Sequence, residues 1–145
     1  MGLFFFGPHR WRGESGRRYR FKCVLTANGM PKAGEGGIYI FVRRRWAFFL
    51  EPLYVGKAAD LRNRLRGHEK WGRAYWYYGA TERHVLGPIR DEVDRRRIEE
   101  DLIRKLKPRM NDVSIPKAKA PAARRTSAAA RAFNFGGILG RRRAA

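Results

Sequence analysis

The 145-residue chain carries 33 lysine and arginine residues against 13 acidic residues, a formal net charge of +20. Its 43% hydrophobic content suits one compact domain, and its charge points to a polyanionic partner: nucleic acid first, an anionic membrane surface second. It has no apolar run of the roughly 20 residues that a membrane span needs, and its single cysteine, Cys23, excludes an internal disulfide and suits a cytoplasmic location.

The first predicted strand lies in residues 1–36, which we interpret as a basic N-terminal extension. Residues 19–25 alternate apolar and basic side chains, a period of two that predicts a half-buried strand with a cationic outer face. After a loop rich in glycine and proline, two further strands are predicted at 37–42 and 53–56. Their connection is compatible with a hairpin, although it is longer than the commonest turns.

Two helices are predicted after these strands. Asp60 is a suitable N-cap for a helix that runs to about Glu69, with Leu61 and Leu65 on one apolar stripe. Residues 71–78 predict a second short helix, which Gly79 would close.

Within residues 37–116, a third strand is predicted at 83–89, after those at 37–42 and 53–56. A long helix is predicted at 91–107. Acidic residues crowd the first turn of this helix and basic residues its last turn, which complements the helix dipole, and Pro108 stops it. Residues 117–145 then hold eight basic and no acidic residues in an alanine-rich context, typical of a disordered tail that binds nucleic acid non-specifically.

These elements predict an α+β domain over residues 37–116. Its sheet would be small, mostly antiparallel and three-stranded, with helices packed against it. The basic N-terminal extension and the basic tail would flank this domain.

The long helix carries an acidic residue on its apolar face. At 100° per residue, one arc holds the apolar side chains of the helix: Ile98, Leu102, Ile103 and Leu106. Glu99 lies inside this arc, whereas Glu100 lies well outside it. A carboxylate on a buried face is costly unless it is paired or binds a cation. Arg95, one turn earlier, offers the pair, so periodicity leaves an ion pair and a metal ligand equally open.

Four motifs in chain order resemble those of the GIY-YIG nucleases. Gly37-Ile38-Tyr39 and Tyr54-Val55-Gly56 are similar to the two triplets that name the family. Residues 57–65 resemble the segment that carries its essential arginine, and the stretch from Glu99 to Asn111 resembles its closing element. The resemblance covers residues 37–111 and is closest to the nuclease domain that makes the 3′ incision in bacterial nucleotide excision repair.

The resemblance implies a metal-dependent endonuclease that hydrolyses DNA to a 3′-hydroxyl and a 5′-phosphate. Glu99 resembles the sole protein ligand of one Mg²⁺ or Mn²⁺ per active site. Arg64 resembles the residue that stabilises negative charge in the transition state. Tyr39 and Tyr54 would flank the attacking water, one of them as general base or relay, and the choice between them stays open.

Six more positions receive candidate roles. Lys57 would lower the pKa of a catalytic tyrosine, Asn111 would brace the site, and His68 lies one turn beyond Arg64, where some family members place a histidine. For Lys57 and His68 a surface or capping role is about as plausible. Arg62 and Arg66 form a basic ridge suited to gripping phosphates, and Gly56, a nucleic-acid contact on this interpretation, alternatively serves only a turn.

Other residues and other types of functional site have weaker support in the sequence. Four aromatic residues before Gly79 can stack on bases, but core packing is the favoured interpretation: Trp71, Trp76, Tyr77 and Tyr78. His84, in a predicted strand, is expected to pack. The sequence has no Cys/His set with zinc spacing, no HExxH motif, no Walker A loop and no nucleophile elbow.

Two other functions compete with the nuclease. A DNA- or RNA-binding module that kept the fold without catalysis is the main alternative, and a basic structural protein, such as a ribosome-associated factor, is a weaker one. We expect DNA as substrate, with RNA possible, and neither a small-molecule cofactor nor a membrane partner. The substrate's structure, the oligomeric state and the choice among repair, mobile-element, phage and restriction roles stay open.

Overall fold

The computed structural model describes residues 6–111, which form five strands and three helices. The strands are β1 (His9–Arg12), β2 (Arg18–Val24), β3 (Gly37–Trp46), β4 (Phe49–Ala58) and β5 (Glu82–Leu86). The helices are α1 (Leu61–Arg66), α2 (Glu69–Tyr78) and α3 (Glu92–Leu106), and short 3₁₀ turns span Ala27–Gly29 and Arg109–Asn111. The predicted tail at 117–145 lies outside the described residues.

All five strands join one antiparallel sheet in the order β1-β2-β5-β3-β4. The predicted α+β class is therefore confirmed, but the predicted count of three strands is wrong. Strand β2, assigned to the N-terminal extension, pairs with β5 through Cys23 and His84, and β1 pairs with β2. Strand β1 has no signal in the sequence, because four residues are too few to establish a period.

The β3–β4 hairpin is longer and tighter than predicted. Only Ala47 and Phe48 separate the two strands, so the expectation of a long connection is wrong. Irregularities in the pairing after Phe41 and after Arg44 mask the period of two, and the strand ends near the turn are largely solvent-exposed. Because of both features, the outer half of the hairpin shows no regular alternation of apolar and polar residues in the sequence.

The first two helices are joined by a sharp break. The Asp60 carboxylate accepts a hydrogen bond from the Asn63 N–H at 3.0 Å and caps α1, as predicted. Helix α1 ends at Arg66 rather than near Glu69, because His68 caps a new helix. Gly79 closes α2 in the left-handed conformation at φ 70°, as predicted.

Two apolar clusters cover the two faces of the sheet. The cluster facing α1 and α2 is built on Tyr39, Phe41, Leu53, Leu61, Leu65, Ala74 and Val85. The cluster facing α3 is built on Phe21, Ile38, Ile40, Val42, Val55 and Leu102. Glu99 is half-buried on α3 and Glu100 is exposed, so the predicted phase of this helix is confirmed.

Within residues 6–111, the longest helix is α3, and none has the length and apolar character needed to cross a bilayer. The compact unit to which the sheet belongs ends at Asn111. The strands of the basic extension and those of the predicted nuclease domain therefore belong to one unit.

Candidate functional site

Tyr39, Arg64 and His68 meet at one phenol oxygen. Tyr39 on β3 is 1% exposed, and its Oη lies 2.6 Å from Nε2 of His68. The Nε–H of Arg64 points at the same oxygen from 3.4 Å. The sequence predicted Tyr39 on a strand and both Arg64 and His68 on one helix; in the structure His68 instead precedes α2, and folding brings the three side chains together.

The hydrogen bonds of His68 fix its tautomer. Its Nδ1 accepts the Lys70 backbone N–H at 3.0 Å, which caps α2, so Nε2 carries the ring proton and donates it to Tyr39. Burial, with a smaller contribution from the charge of Arg64, lowers the pKa of His68 to about 4. His68 is therefore a neutral donor near pH 7: it caps α2, as one of its two predicted alternatives has it, and it also donates to Tyr39.

The phenol of Tyr39 lies directly over the backbone of β4. Tyr39 pairs with Gly56 in the register, and a Cβ atom on Gly56 would come within 2.4 Å of the Tyr39 Oη. Position 56 requires glycine because the Tyr39 ring packs closely against the backbone there. Neither of the two interpretations offered for Gly56, a turn or a nucleic-acid contact, accounts for this requirement. Burial raises the pKa of Tyr39, although the hydrogen bond from Arg64 opposes this effect. The Tyr54 ring lies beside it, with centroids 6.0 Å apart.

Arg64 keeps most of its hydrogen-bonding capacity. Its Nη2 lies 3.7 Å from the carboxylate of the exposed Glu69, a long and solvent-screened contact. Arg62 and Arg66 flank it on α1, and within residues 6–111 no ion pair holds either of them. This helix therefore presents three arginines with weak internal partners or none.

Lys57 lies on the opposite face of β4. It follows Gly56 and pairs with Ile38, so strand alternation directs it toward α3. Its Nζ forms an ion pair with Glu92, whose other carboxylate oxygen accepts a 2.8 Å hydrogen bond from Arg95. In the structure Lys57 thus contacts α3, and no hydrogen bond within the described range joins it to either tyrosine.

Glu99 has no ion-pair partner in the described part of the chain. Arg95, its predicted partner, instead binds Glu92 and donates to the carbonyl oxygens of Ile89 and Arg90 at 2.8 and 2.7 Å. The pairing alternative for Glu99 is therefore wrong.

The environment of Glu99 matches the donor set of a hard cation. Burial raises the pKa of its carboxyl group, while the charge of Lys57 and a backbone hydrogen bond from the same residue counteract this effect. A desolvated carboxylate without a bound cationic side chain suits Mg²⁺ or Mn²⁺, which prefer oxygen ligands and relieve the cost of burying the charge. The side chain present thus fits the implied metal.

Asn111 joins the two groups of residues through β4. Its Oδ1 accepts the Val55 N–H at 2.6 Å, and its Nδ2 donates to the Val55 carbonyl at 2.7 Å. Val55 lies between Tyr54 and Gly56, so the Asn111 side chain fixes the backbone that separates the tyrosine side of the strand from the Glu99 side. No hydrogen bond within residues 6–111 joins Glu99 directly to Tyr39 or Arg64.

A second buried polar network was not predicted. Trp11 Nε1 donates to His84 Nδ1 at 3.0 Å, and His84 Nε2 donates to Glu82 at 2.8 Å. Arg44 donates to both Glu82 oxygens at 2.9 and 2.7 Å. Burial opposes ionisation of Glu82, but the hydrogen bonds from His84 and Arg44 outweigh it and lower the pKa to about 2. His84 was expected to pack, which its burial confirms; the spacing of Glu82 two residues before it was the available signal for the network.

The same network contains a Cys–Glu–His group. Potential ligand atoms of Cys23, Glu82 and His84 lie within 4.8 Å of one another. Both Glu82 oxygens already accept hydrogen bonds from a guanidinium, which disfavours a metal cation beside them, and a thiol and an imidazole are poor Mg²⁺ ligands. We interpret this group as a structural network.

The four aromatic residues of α2 with predicted packing, Trp71, Trp76, Tyr77 and Tyr78, divide between the core and the surface. Trp71 and Tyr78 pack against the core beside the buried Ala74, in agreement with the predicted packing. Trp76 and Tyr77 are 79% and 84% exposed, so the packing prediction is wrong for them. The inner face of α2 follows residues 71, 74 and 78, a helical spacing that directs Trp76 and Tyr77 outward.

Comparison of the chain with protein-family models, with curated proteins and with solved structures finds no match. The resemblance to the GIY-YIG nucleases therefore rests on the motif residues themselves.

Proposed function

We propose that the protein is a Mg²⁺- or Mn²⁺-dependent endonuclease of the GIY-YIG type that hydrolyses DNA phosphodiester bonds. The observation that carries the proposal is the buried phenol of Tyr39, which receives hydrogen bonds from His68 and Arg64. Glu99 supports the proposal from the other side of β4, the strand at the edge of the sheet. Its carboxyl group is desolvated and has no ion-pair partner in the described residues.

Each residue near the phenol has a distinct task. Arg64 uses one N–H to hold Tyr39 and directs its remaining guanidinium donors to the phosphate, where a planar fork suits two oxygens. His68 acts through Tyr39, as a positioning residue. We assign proton acceptance from the attacking water to Tyr54, since burial opposes ionisation of Tyr39.

Glu99 is the residue that would hold the metal, and Asn111 keeps β4 in place between it and the tyrosines. Held there, the metal would supply Lewis-acid stabilisation of the phosphate and the leaving oxygen. Lys57 pairs with Glu92 beside this position and offsets part of the acidic charge there. Arg62 and Arg66 hold the flanking phosphates.

The decisive experiment compares two adjacent glutamates. Glu99→Gln should lower the single-turnover cleavage rate about a thousandfold, since it removes the metal ligand. DNA binding should persist, because the arginines remain. In the absence of metal the variant should also be more stable, since a buried carboxyl group becomes neutral.

Glu100→Gln is the matched control, because Glu100 is exposed and forms only a 3.8 Å contact with Arg104. It should cleave at nearly the parent rate, and chelator should stop both the parent and this control. Cleavage by the parent that persists in excess chelator, or equal cleavage by the parent and Glu99→Gln in the presence of metal, would refute the metal assignment. Tight DNA binding by the parent without cleavage of any duplex, nicked, branched or single-stranded substrate would favour the non-catalytic module.

A further inference from the structure

A cavity of about 420 Å³ lies beside the Tyr39 group. Its walls come from the end of β2 and the turn that follows, from α1, from the start of α2 and from β5. The residues that define its character are Leu25, Met30, Arg62, Arg66, Trp71 and Arg83. His68 also lines it, so a ligand in the cavity would be one side chain away from the Tyr39 phenol.

The inner wall of this cavity is built on Trp71 and Arg83, whose side chains are held in place. The Arg83 guanidinium lies over the Trp71 ring, 4.2 Å from its centroid, and donates to the Leu65 carbonyl at 3.2 Å. The Phe41 ring packs against Trp71, with the two ring centroids 5.0 Å apart. Together with the apolar Met30 and Leu25, this stack offers a surface for a flat, weakly polar group.

The rim of the cavity is cationic. Arg62 and Arg66 lie at its α1 side and have no ion pair within the described residues. One acidic residue, Glu69, also lines the cavity, and it is exposed and in long contact with Arg64. The occupant should therefore combine a planar face with adjacent negative charge.

One wall lies outside the region that resembles a known nuclease. Residues 24–30 contribute the β2 end and the turn, whereas the motif resemblance covers residues 37–111. The cavity is thus a feature that the N-terminal strands of this chain add to the candidate active site.

We propose that the cavity receives one unpaired base of a DNA strand, next to the phosphate that is cleaved. This inference rests on the proposed nuclease function and specifies its substrate class: DNA with an extrahelical or unpaired nucleotide. The wall built on Trp71 and Arg83 accommodates the base, and Arg62 and Arg66 hold its flanking phosphates. His68 lies between the base and the catalytic phenol. A mispaired or unpaired base enters at lower cost because it has less stacking and pairing to lose.

The test measures binding and cleavage separately. A duplex with one unpaired, fluorescent base analogue is titrated in excess chelator, beside the fully paired duplex. The unpaired duplex should bind about tenfold more tightly, the size expected from stacking one base. The fluorescence of the analogue should change on binding, as expected for a base that moves into the cavity and stacks against its wall.

Two variants locate the effect. Leu25→Trp fills the mouth of the cavity from a position that is already half-exposed, and should reduce the ratio of the two affinities to about one. Val93→Trp adds the same side chain at an exposed site on α3 and should keep the full preference. The fluorescence measurement on the unmodified chain does not depend on the folding of either variant.

The outcomes separate this inference from the proposed function. Equal affinities and unchanged fluorescence in the unmodified chain would overturn the cavity's role, even if metal-dependent cleavage is found. A preference that persists in a folded Leu25→Trp variant would overturn it as well. A preference in chelator that Leu25→Trp abolishes would support the cavity's role, even if cleavage never appears with metal and the proposed function fails.

Discussion

The two faces of the sheet each bury a histidine with the same hydrogen-bonding pattern. His68 and His84 both accept an N–H at Nδ1 and donate from Nε2 to an oxygen. Their partners differ: His68 meets the phenol of Tyr39, whereas His84 meets the carboxylate of Glu82.

The charges around the two histidines explain what each network can do. Near His84, Arg44 and Glu82 neutralise each other in a buried pair, so every strong donor and acceptor has its partner inside the fold. Near His68, Arg64 has only a long contact with Glu69. A charge-balanced buried network stabilises a fold, while a network with a surplus cation can receive an anionic ligand.

Of the variants that test this contrast, Glu82→Gln should show the largest effect. The variant leaves the largely buried Arg44 without its anion, so the free energy of unfolding in urea should fall by about 3 kcal/mol. Asp94→Asn, which removes the exposed pair with Arg97, should cost less than about 1 kcal/mol. A small loss in Glu82→Gln would show that the network does not stabilise the fold.

Arg64→Lys tests the network near His68, where the surplus cation can receive an anionic ligand. The charge stays, but the planar fork is lost, so single-turnover cleavage should fall about a hundredfold. Stability should change by less than about 1 kcal/mol, because the side chain is partly exposed and its ion pair is long. Arg73→Lys, on the exposed side of α2, is the control and should cleave normally. Equal rates for all three proteins would remove Arg64 from the mechanism.

Mild acid tests His68. Burial lowers its pKa in the folded state from 6.5 to about 4, so the unfolded chain binds the additional proton between these values. Stability is therefore complete above pH 6.5 and falls with acidification, by about 2 kcal/mol at pH 5. Urea unfolding of the parent and of His68→Asn, which keeps a helix-capping side chain, should show this loss in the parent alone. The same acid response in both proteins would assign it to other groups.

Local patterns predicted the phase of α3 better than they predicted the sheet. The apolar arc of α3 identified Glu99 over Glu100, because helix phase depends only on residues within a few turns. The pairing of β2 with β5 and the burial of Glu82 depend on contacts across roughly 60 residues, and periodicity contains no such information. Periodicity also did not show that Arg95 pairs with Glu92 rather than with Glu99, because both glutamates lie within about one turn of Arg95 on the same helix.

The Asn111 side chain has a consequence for the sheet as a whole. Strand β4 is an edge strand, and the backbone N–H and carbonyl of an edge strand are open to pairing with another chain. At Val55 both groups are already bonded to the Asn111 amide, which imitates one residue of a neighbouring strand. A second polypeptide cannot extend the sheet across this point without displacing that amide, so one side chain both holds the candidate active-site strand and guards the sheet edge against self-association.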